Sequence, residues 1–206
     1  MIKTFIVIVN YNGWRDTIEC LKSIKKCEVG DIKCEIIIVD NGSIDKSVER
    51  LKQEKGIILL ESKENTGFTG GNNLGIKYSL KNGADFILLL NNDTIVDKDF
   101  LSNLLKAADI YDKVGIFSPK IYFSPGFEFH KNKYSKAEVG NVIWSSGGVI
   151  DWDNVYATNY GVDDTDIGQY QTVRETDFAT GAAMFIRREV IDEIGILDEK
   201  YFLYLE

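Results

Sequence analysis

The chain of 206 residues carries a single histidine, His130, and only two prolines, Pro119 and Pro125. One histidine takes most zinc sites and His-based triads out of consideration. Cysteine is scarce as well: Cys20, Cys27 and Cys34 form no CxxC pair, and their odd number fits buried free thiols better than a disulfide framework or a metal site. Basic residues are outnumbered, 24 against 32 acidic, for a net charge of −8. That balance excludes non-specific nucleic-acid binding, which needs clustered Lys and Arg to displace counterions. It also means that any anionic ligand must be met by backbone amides, a helix N-terminus or a metal ion. No apolar run approaches the ~18–20 residues that span a bilayer. The opening "MIKTFIVIVNYNGW" leads into Asn-Tyr-Asn-Gly rather than a small-residue cleavage site, so it reads as a first strand and not a signal peptide.

What is present is the composition of an ordinary globular protein, 44% hydrophobic and 27% charged. Four short apolar runs occupy the first ninety residues: "FIVIV" (5–9), "EIIIVD" (35–40), "GIILLE" (56–61) and "FILLL" (86–90). Unbroken Ile, Val and Leu over about five residues indicates parallel strands covered on both faces. Helical patterns over 14–27, 45–54, 70–81 and 98–111 separate and follow them, with Ile18, Leu21, Ile24 and Lys25 at helical spacing in the first. The alternation predicts an α/β fold with a doubly wound, mostly parallel sheet. Beyond about residue 115 the pattern loosens into irregular strands and exposed loops. Order returns with a strand through Phe178, a Gly-Ala turn, a further strand and a helix from Arg188. No linker divides the chain, which points to one domain with a nucleotide-binding half (about 1–115) and a smaller acceptor-side half (about 116–206).

Each of the four strands ends in a polar cluster: "NYNG" (10–13), "DNGS" (40–43), "ENTGFTGGNN" (64–73) and "NNDT" (91–94). Asn-Gly and Gly-Gly are ordinary turn formers. Four such clusters at the carboxyl ends of parallel strands, where open α/β sheets bind ligands, point to a site. "GFTGGNN" lacks the spacing of a dinucleotide fingerprint and the Gly-Lys-Ser/Thr of a P-loop. A phosphate on the amides of Gly70, Gly71 and Asn72 and a plain turn with a helix cap are both open. Asp40 either accepts hydrogen bonds from a base or ribose or serves as a helix cap, a role that Asp45 also fits. Asp93 suits a hard divalent cation completed by substrate phosphates, while capping of the helix near residue 97 competes for these polar groups.

Together "VNYNG", "VDNGS", "NTGFTGGNN", "LLLNNDT" and "TGAAMFIRREVIDEIGILDEKYFLYLE" resemble the family 2 glycosyltransferases of the GT-A fold, nearest to the rhamnosyltransferase-like branch. The resemblance runs from Lys3 to Glu206 and is weakest over 120–170. It implies a Rossmann-like nucleotide-binding half and an inverting transferase. Such an enzyme moves a sugar from dTDP-rhamnose or a UDP-hexose to a hydroxyl of a glycan or lipid-linked acceptor. It implies that Asn10, Tyr11 and Asn12 line the base pocket, and that Asp40 binds base or ribose with Asn41 and Ser43 nearby. Asn65, Gly67, Gly71 and Asn72 would surround the nucleotide. Asn91, Asn92 and Asp93 would occupy the metal–diphosphate motif, with Asp93 on Mg²⁺ or Mn²⁺. Gly181 and Ala182 would face the donor sugar, with Asp177 shaping that pocket.

The base is expected in a Glu-Asp pair after "YFLY". Here Glu206 is the last residue, so a C-terminally truncated chain is expected, and a non-catalytic nucleotide-sugar-binding fragment is the alternative. A sugar-phosphate nucleotidylyltransferase fits less well, because "NYNGWRD" is a poor match to the Gly-rich basic loop such enzymes carry after the first strand. The expected location is the cytoplasm, with peripheral attachment to the inner face of the membrane and homodimerisation as open alternatives.

Overall fold

The computed structural model describes residues 1–28, 32–130 and 132–202. Contacts group the chain into two units, residues 1–117 with 181–206, and residues 118–180.

The first unit is built on a six-stranded sheet. Its parallel part comprises β1 (Lys3–Asn10), β2 (Lys33–Asn41), β3 (Ile58–Ser62) and β4 (Phe86–Leu90). The helices α1 (Trp14–Ile24), α2 (Ser47–Leu51), α3 (Gly67–Lys81) and α4 (Phe100–Ile110) follow these strands in turn. The strand order is β3-β2-β1-β4-β10-β5, where β5 is Ile116–Phe117 and β10 is Ala183–Arg187. β10 runs antiparallel to both of its neighbours. The first unit runs to Phe117 and resumes at Gly181, because β10 inserts between β4 and β5. The last helix, α5 (Arg188–Ile194), begins where the sequence places it.

The core explains why the central strands are unbroken runs. Phe5, Val7, Ile37, Val39, Ile87 and Leu89 form a single buried cluster with Ile76 of α3. Phe86 and Phe185 stack across β4 and β10 with ring centroids 4.8 Å apart, a pair worth about 1 kcal/mol beyond its buried area. α3 sits close to the sheet because its glycines make room: a Cβ on Gly75 would lie 2.3 Å from Val7 Cγ1, and one on Gly71 would lie 2.8 Å from Val9 Cγ1. On α1 the buried stripe is Thr17, Cys20, Leu21, Ser23 and Ile24. Lys25, expected on that face, is exposed and pairs with Glu54, and Cys27 lies beyond the helix end. All three cysteines are free.

The order of strands matters for function. The chain winds from β1 out through β2 to β3, then crosses back to place β4 on the other side of β1. At such a reversal the loops after β1 and β4 part, which opens a crevice at the carboxyl ends of the strands.

The second unit has little apolar core; Val142 and Ile143 are its fully buried aliphatics among the described residues. It holds short antiparallel pairs, β6 (Ile121–Tyr122) with β7 (Ile143–Ser145), and the hairpin of β8 (Gly148–Asp151) with β9 (Tyr156–Asn159). Polar clamps supplement that core. Asp166 accepts from Lys120 and Tyr122, and Asp163 accepts from His130, Lys133 and Tyr134. The bonds from Lys120 and Tyr122 hold the Asp166 carboxyl down at about 2. For Asp163, burial pushes the carboxyl up, but the bonds from Lys133, Tyr134 and His130 outweigh it and leave it at about 2. Arg174 lies between the rings of Tyr160 and Tyr170, 4.9 Å from each. The strand expected through Phe178 is only an isolated bridge to Gly148. Among the described residues no helix is long and apolar enough to cross a membrane.

Candidate functional site

Register brings the first two site residues together. β1 and β2 pair in parallel with Asn10 opposite Asp40, so both side chains stand at the carboxyl edge. Asn10 Nδ2 donates to Asp40 Oδ2 at 2.8 Å and to Ser43 Oγ at 3.2 Å. Asp40 Oδ1 accepts from the Ser43 N–H at 3.0 Å. The Asn12 N–H donates to Ser43 Oγ at 2.9 Å, and Asn12 Oδ1 accepts from the Ile44 N–H. Asp40 is only 1% exposed and Asn10 is 0% exposed. Asp40 is therefore not a helix cap. It is a buried tie between the ends of β1 and β2 that leaves Tyr11, Asn12 and Ser43 as the outward groups of this cluster.

The third strand-end cluster folds around a second buried amide. Asn41 Nδ2 donates to Asn65 Oδ1 and to the Gly67 carbonyl, while its Oδ1 accepts from the Thr66 N–H and hydroxyl. With all four valences used inside the protein, Asn41 fixes the 65–67 turn rather than facing a ligand. Gly67 adopts φ +73°, and a Cβ there would lie 2.2 Å from the Phe202 carbonyl oxygen. α3 begins at Gly67, so the amides of Gly70, Gly71 and Asn72, expected at a helix start, lie within the helix, and the Gly70 N–H bonds the Thr66 carbonyl. The free end of α3 is taken by the Phe68 N–H, which donates to the Phe202 carbonyl at 2.8 Å. Gly71 packs against Val9 and does not line the cleft; Asn65, Gly67 and Asn72 do.

β4 delivers Asn91, Asn92 and Asp93 to the same cleft, which Tyr11, Phe68 and Phe202 also line. The competing capping role goes unfilled: α4 has no side-chain cap, and Asp97 only closes a turn ahead of it, its side chain accepting from the Asp99 N–H. That leaves the Asp93 carboxylate exposed and without a hydrogen bond among the described residues. The Asn91 N–H donates to the Ala182 carbonyl at 3.0 Å, and a Cβ on Gly181 would lie 2.9 Å from the Phe68 ring. Of the two residues expected near a donor sugar, Ala182 thus adjoins Asn91, and Gly181 adjoins Phe68 of the cleft lining. Asp177 lies in the second unit, where its carboxylate accepts from the Ile150 N–H of β8. Glu206 lies outside the described residues.

The residues present fit a divalent cation only in one way. Among the described residues no group of three or more His, Cys, Asp or Glu could hold a metal. Among the described residues, Asp93 is the only carboxylate that lines the cleft, and no Lys or Arg lines it. A diphosphate placed there would meet a negative charge with no cation to offset it. One carboxylate plus phosphate oxygens is, however, a sufficient ligand set for Mg²⁺. The donor set therefore fits a cation that arrives with, and is completed by, a phosphate ligand.

Two contributors went unmarked by sequence reasoning. Thr17, fully buried on α1, reaches both Asn10 and Asn92; its signal is a hydroxyl, one of two with Ser23, on a buried helix stripe. Phe202 lines the cleft from the segment after α5 and gave no signal beyond its apolar surroundings.

Cys20 lies beneath the motif, with Sγ 3.8 Å from the Asn91 carbonyl and 3.6 Å from Thr94 Oγ1. Burial pushes its thiol up to about 11, with the Thr94 bond pulling back and the Asp93 charge adding to the rise. Burial likewise takes Cys34 to about 11. At neutral pH Cys20 is a protonated, inert thiol and neither a nucleophile nor a ligand. Iodoacetamide at pH 8 is expected to label the less buried Cys27 well before Cys20 or Cys34; equal labelling of all three would contradict the packing. Above pH 9 the folded chain holds these protons more tightly than the unfolded chain. Stability should therefore fall as pH rises from about 9 towards about 11, on the order of 2 kcal/mol for Cys20.

The comparisons with known proteins agree with this geometry. Residues 5–195 match the family described as Glycosyl transferase family 2, and the chain belongs to that family. The low-salt glycan biosynthesis hexosyltransferase Agl10 of Haloferax volcanii is 27% identical over 202 residues, covering 98% of this chain and 58% of the relative. The dTDP-rhamnosyl transferase RfbF of Shigella flexneri is 22% identical over 204 residues, covering 97% and 58%. The chain thus spans 58% of the length of these two curated relatives. Among solved structures, S. aureus TarS 1-349 in complex with UDP superposes with TM-score 0.67 at 14% identity, over 98% of this chain and 52% of that one. The mannosyltransferase PcManGT from Pyrobaculum calidifontis, in complex with GDP-Man and Mn²⁺, gives TM-score 0.61 at 15% identity, over 95% and 47%. At these identities the likeness establishes the fold, which is the GT-A glycosyltransferase fold.

Proposed function

We propose that this chain is the donor-binding part of an inverting glycosyltransferase that uses a nucleotide-diphosphate sugar, with dTDP-rhamnose or a UDP-hexose as donor. The observation that carries the reading is the convergence, at the point of strand reversal, of the Asn10–Asp40–Ser43 cluster and the exposed Asp93 on one sheet edge. Support comes from the relatives, one a dTDP-rhamnosyl transferase and one a hexosyltransferase. Fold neighbours in complex with UDP, and with GDP-Man and Mn²⁺, add to it.

In this reading Tyr11, Asn12 and Ser43 receive the nucleoside, while Asp40 and Asn10 behind them fix where those groups stand. Asn65, Gly67 and Asn72 flank the nucleotide. Asn91 and Asn92 contact ribose or phosphate, Asp93 is the protein ligand to Mg²⁺ or Mn²⁺, and Gly181 and Ala182 border the sugar. A bound divalent cation would supply the positive charge that offsets the departing diphosphate. The acceptor hydroxyl oxygen bonds to the anomeric carbon from the face opposite the diphosphate, whose carbon–oxygen bond breaks. A carboxylate, assigned to Glu206, takes the hydroxyl proton. The acceptor is a glycan or lipid-linked hydroxyl, and residues 118–180 are assigned to its recognition.

The test is release of nucleoside diphosphate from dTDP-rhamnose and from UDP-glucose, with and without MnCl₂ and a hydroxyl acceptor. Metal-dependent release with inversion at the anomeric carbon is expected for a complete enzyme. Binding without release would instead establish a nucleotide-sugar-binding module. Absence of binding to both donors would sink the donor-site reading.

A further inference from the structure

The two halves of the candidate site are joined by one side chain that does not line the cleft. The orientation of Asn10 follows from its partners: Nδ2 spends both hydrogens on Asp40 and Ser43, so Oδ1 is the atom turned towards α1. Thr17 Oγ1 lies 2.8 Å from that Oδ1 and 3.0 Å from the Gly13 carbonyl, and has a single hydrogen to give. On its other side Thr17 Oγ1 accepts from Asn92 Nδ2 at 3.1 Å. One fully buried hydroxyl therefore receives a bond from the end of β4 while it donates towards the end of β1. Among the described residues, no other side-chain hydrogen bond bridges the Asn10–Asp40 pair and the Asn92–Asp93 pair.

Gly13 supplies an independent sign that this contact is built. Its φ of −128° suits any residue, so no turn demands a glycine here. A Cβ at Gly13 would instead lie 2.8 Å from Asn92 Nδ2. The missing side chain is what gives the Asn92 amide its path to Thr17.

We propose that Thr17 is a positioning residue that holds the nucleoside-side Asn10 and the diphosphate-side Asn92 in one register, so that both ends of a nucleoside diphosphate are engaged together. The inference rests on the donor-site reading above. Thr17 acts only through Asn10 and Asn92, and its removal should uncouple the two ends rather than delete either of them.

The experiment titrates UDP and dTDP into the chain with and without MnCl₂ and reads the ratio of the two affinities for the tighter nucleotide. Thr17→Val keeps the shape and removes the hydroxyl; it is expected to lower that ratio about tenfold, the size of one hydrogen bond lost in a dry site. Gly13→Ala, whose Cβ meets only the end of a flexible amide, is expected to lower the ratio similarly at an unchanged melting temperature. Thr17→Ser, which restores the hydroxyl, should return the ratio to within about twofold of the parent. An unchanged ratio in both Thr17→Val and Gly13→Ala overturns the link. So does an equal loss with and without manganese, which would mark Thr17 as purely structural. If the parent chain shows no manganese-dependent binding, the donor-site reading itself fails and the link falls with it. Manganese-dependent binding in a parent whose variants match it overturns the link alone.

Discussion

Asp93→Ala is expected to remove the manganese-dependent part of nucleotide binding, about a hundredfold or more in affinity, equivalent to roughly 3 kcal/mol. The melting temperature should stay where it is. The two halves of this expectation share one physical cause. The Asp93 carboxylate is exposed and makes no hydrogen bond among the described residues, so the fold does not depend on it. Among the described residues it is also the only charged group that lines the cleft, so a cation that bridges a diphosphate there finds no other carboxylate among them. Calorimetric titration of UDP and dTDP in MnCl₂ checks the affinity, and thermal unfolding checks the fold. Manganese-dependent affinity equal to that of the parent chain would show that the cation, if any, sits elsewhere.

Asp40→Ala should behave in the opposite way and cost both stability and binding. This carboxylate is buried and holds Asn10 Nδ2 and the Ser43 N–H. Truncation leaves one hydrogen of the buried Asn10 Nδ2 and the partly buried Ser43 N–H without their acceptor, which costs about 2 kcal/mol at hydrogen bonds to a charged group. The loosened Asn10 and Ser43 then no longer present the nucleoside side of the cleft, and nucleotide affinity without metal should drop about tenfold. Denaturant titration with an unchanged slope reads the first effect, and metal-free titration reads the second. Normal stability in Asp40→Ala would contradict the buried tie, and normal metal-free affinity would detach this cluster from the ligand.

The contrast between these two acids marks how far the sequence could be read. Strands β1 to β4 were legible because unbroken Ile, Val and Leu runs ended abruptly in Asn, Asp and Gly, and the fold places those ends on one edge. Which polar residues face outward was not legible. Asp40, Asn41 and Gly71 stand in the motifs, yet their side chains or their lack of one serve the β1–β2 tie, the 65–67 turn and the seating of α3. Strand periodicity specifies that a strand exists and ends; it says nothing about whether the residue after it turns in or out.

The start of α3 was misplaced by three residues because Gly67, with positive φ, opens the helix that the Gly70-Gly71 pair was expected to begin. Residues 118–180 gave little signal because their strands are two to four residues long, too short to show alternation, and polar clamps supplement their small core. Thr17 could have been noticed, like Ser23, as a hydroxyl on a buried helix stripe. That it meets Asn92, 75 positions further along, follows only from the β1–β4 adjacency.

The most direct test of the central claim is a calorimetric titration of the chain with MnCl₂ alone, with UDP or dTDP alone, and with each nucleotide in the presence of manganese. One carboxylate cannot hold the cation unaided, and among the described residues the cleft offers a diphosphate no cation of its own. The expected result is weak binding of each component alone and strong mutual enhancement when a nucleotide and manganese are present together. Tight manganese binding without nucleotide, or nucleotide binding indifferent to manganese, would contradict a site whose metal and diphosphate complete each other at Asp93.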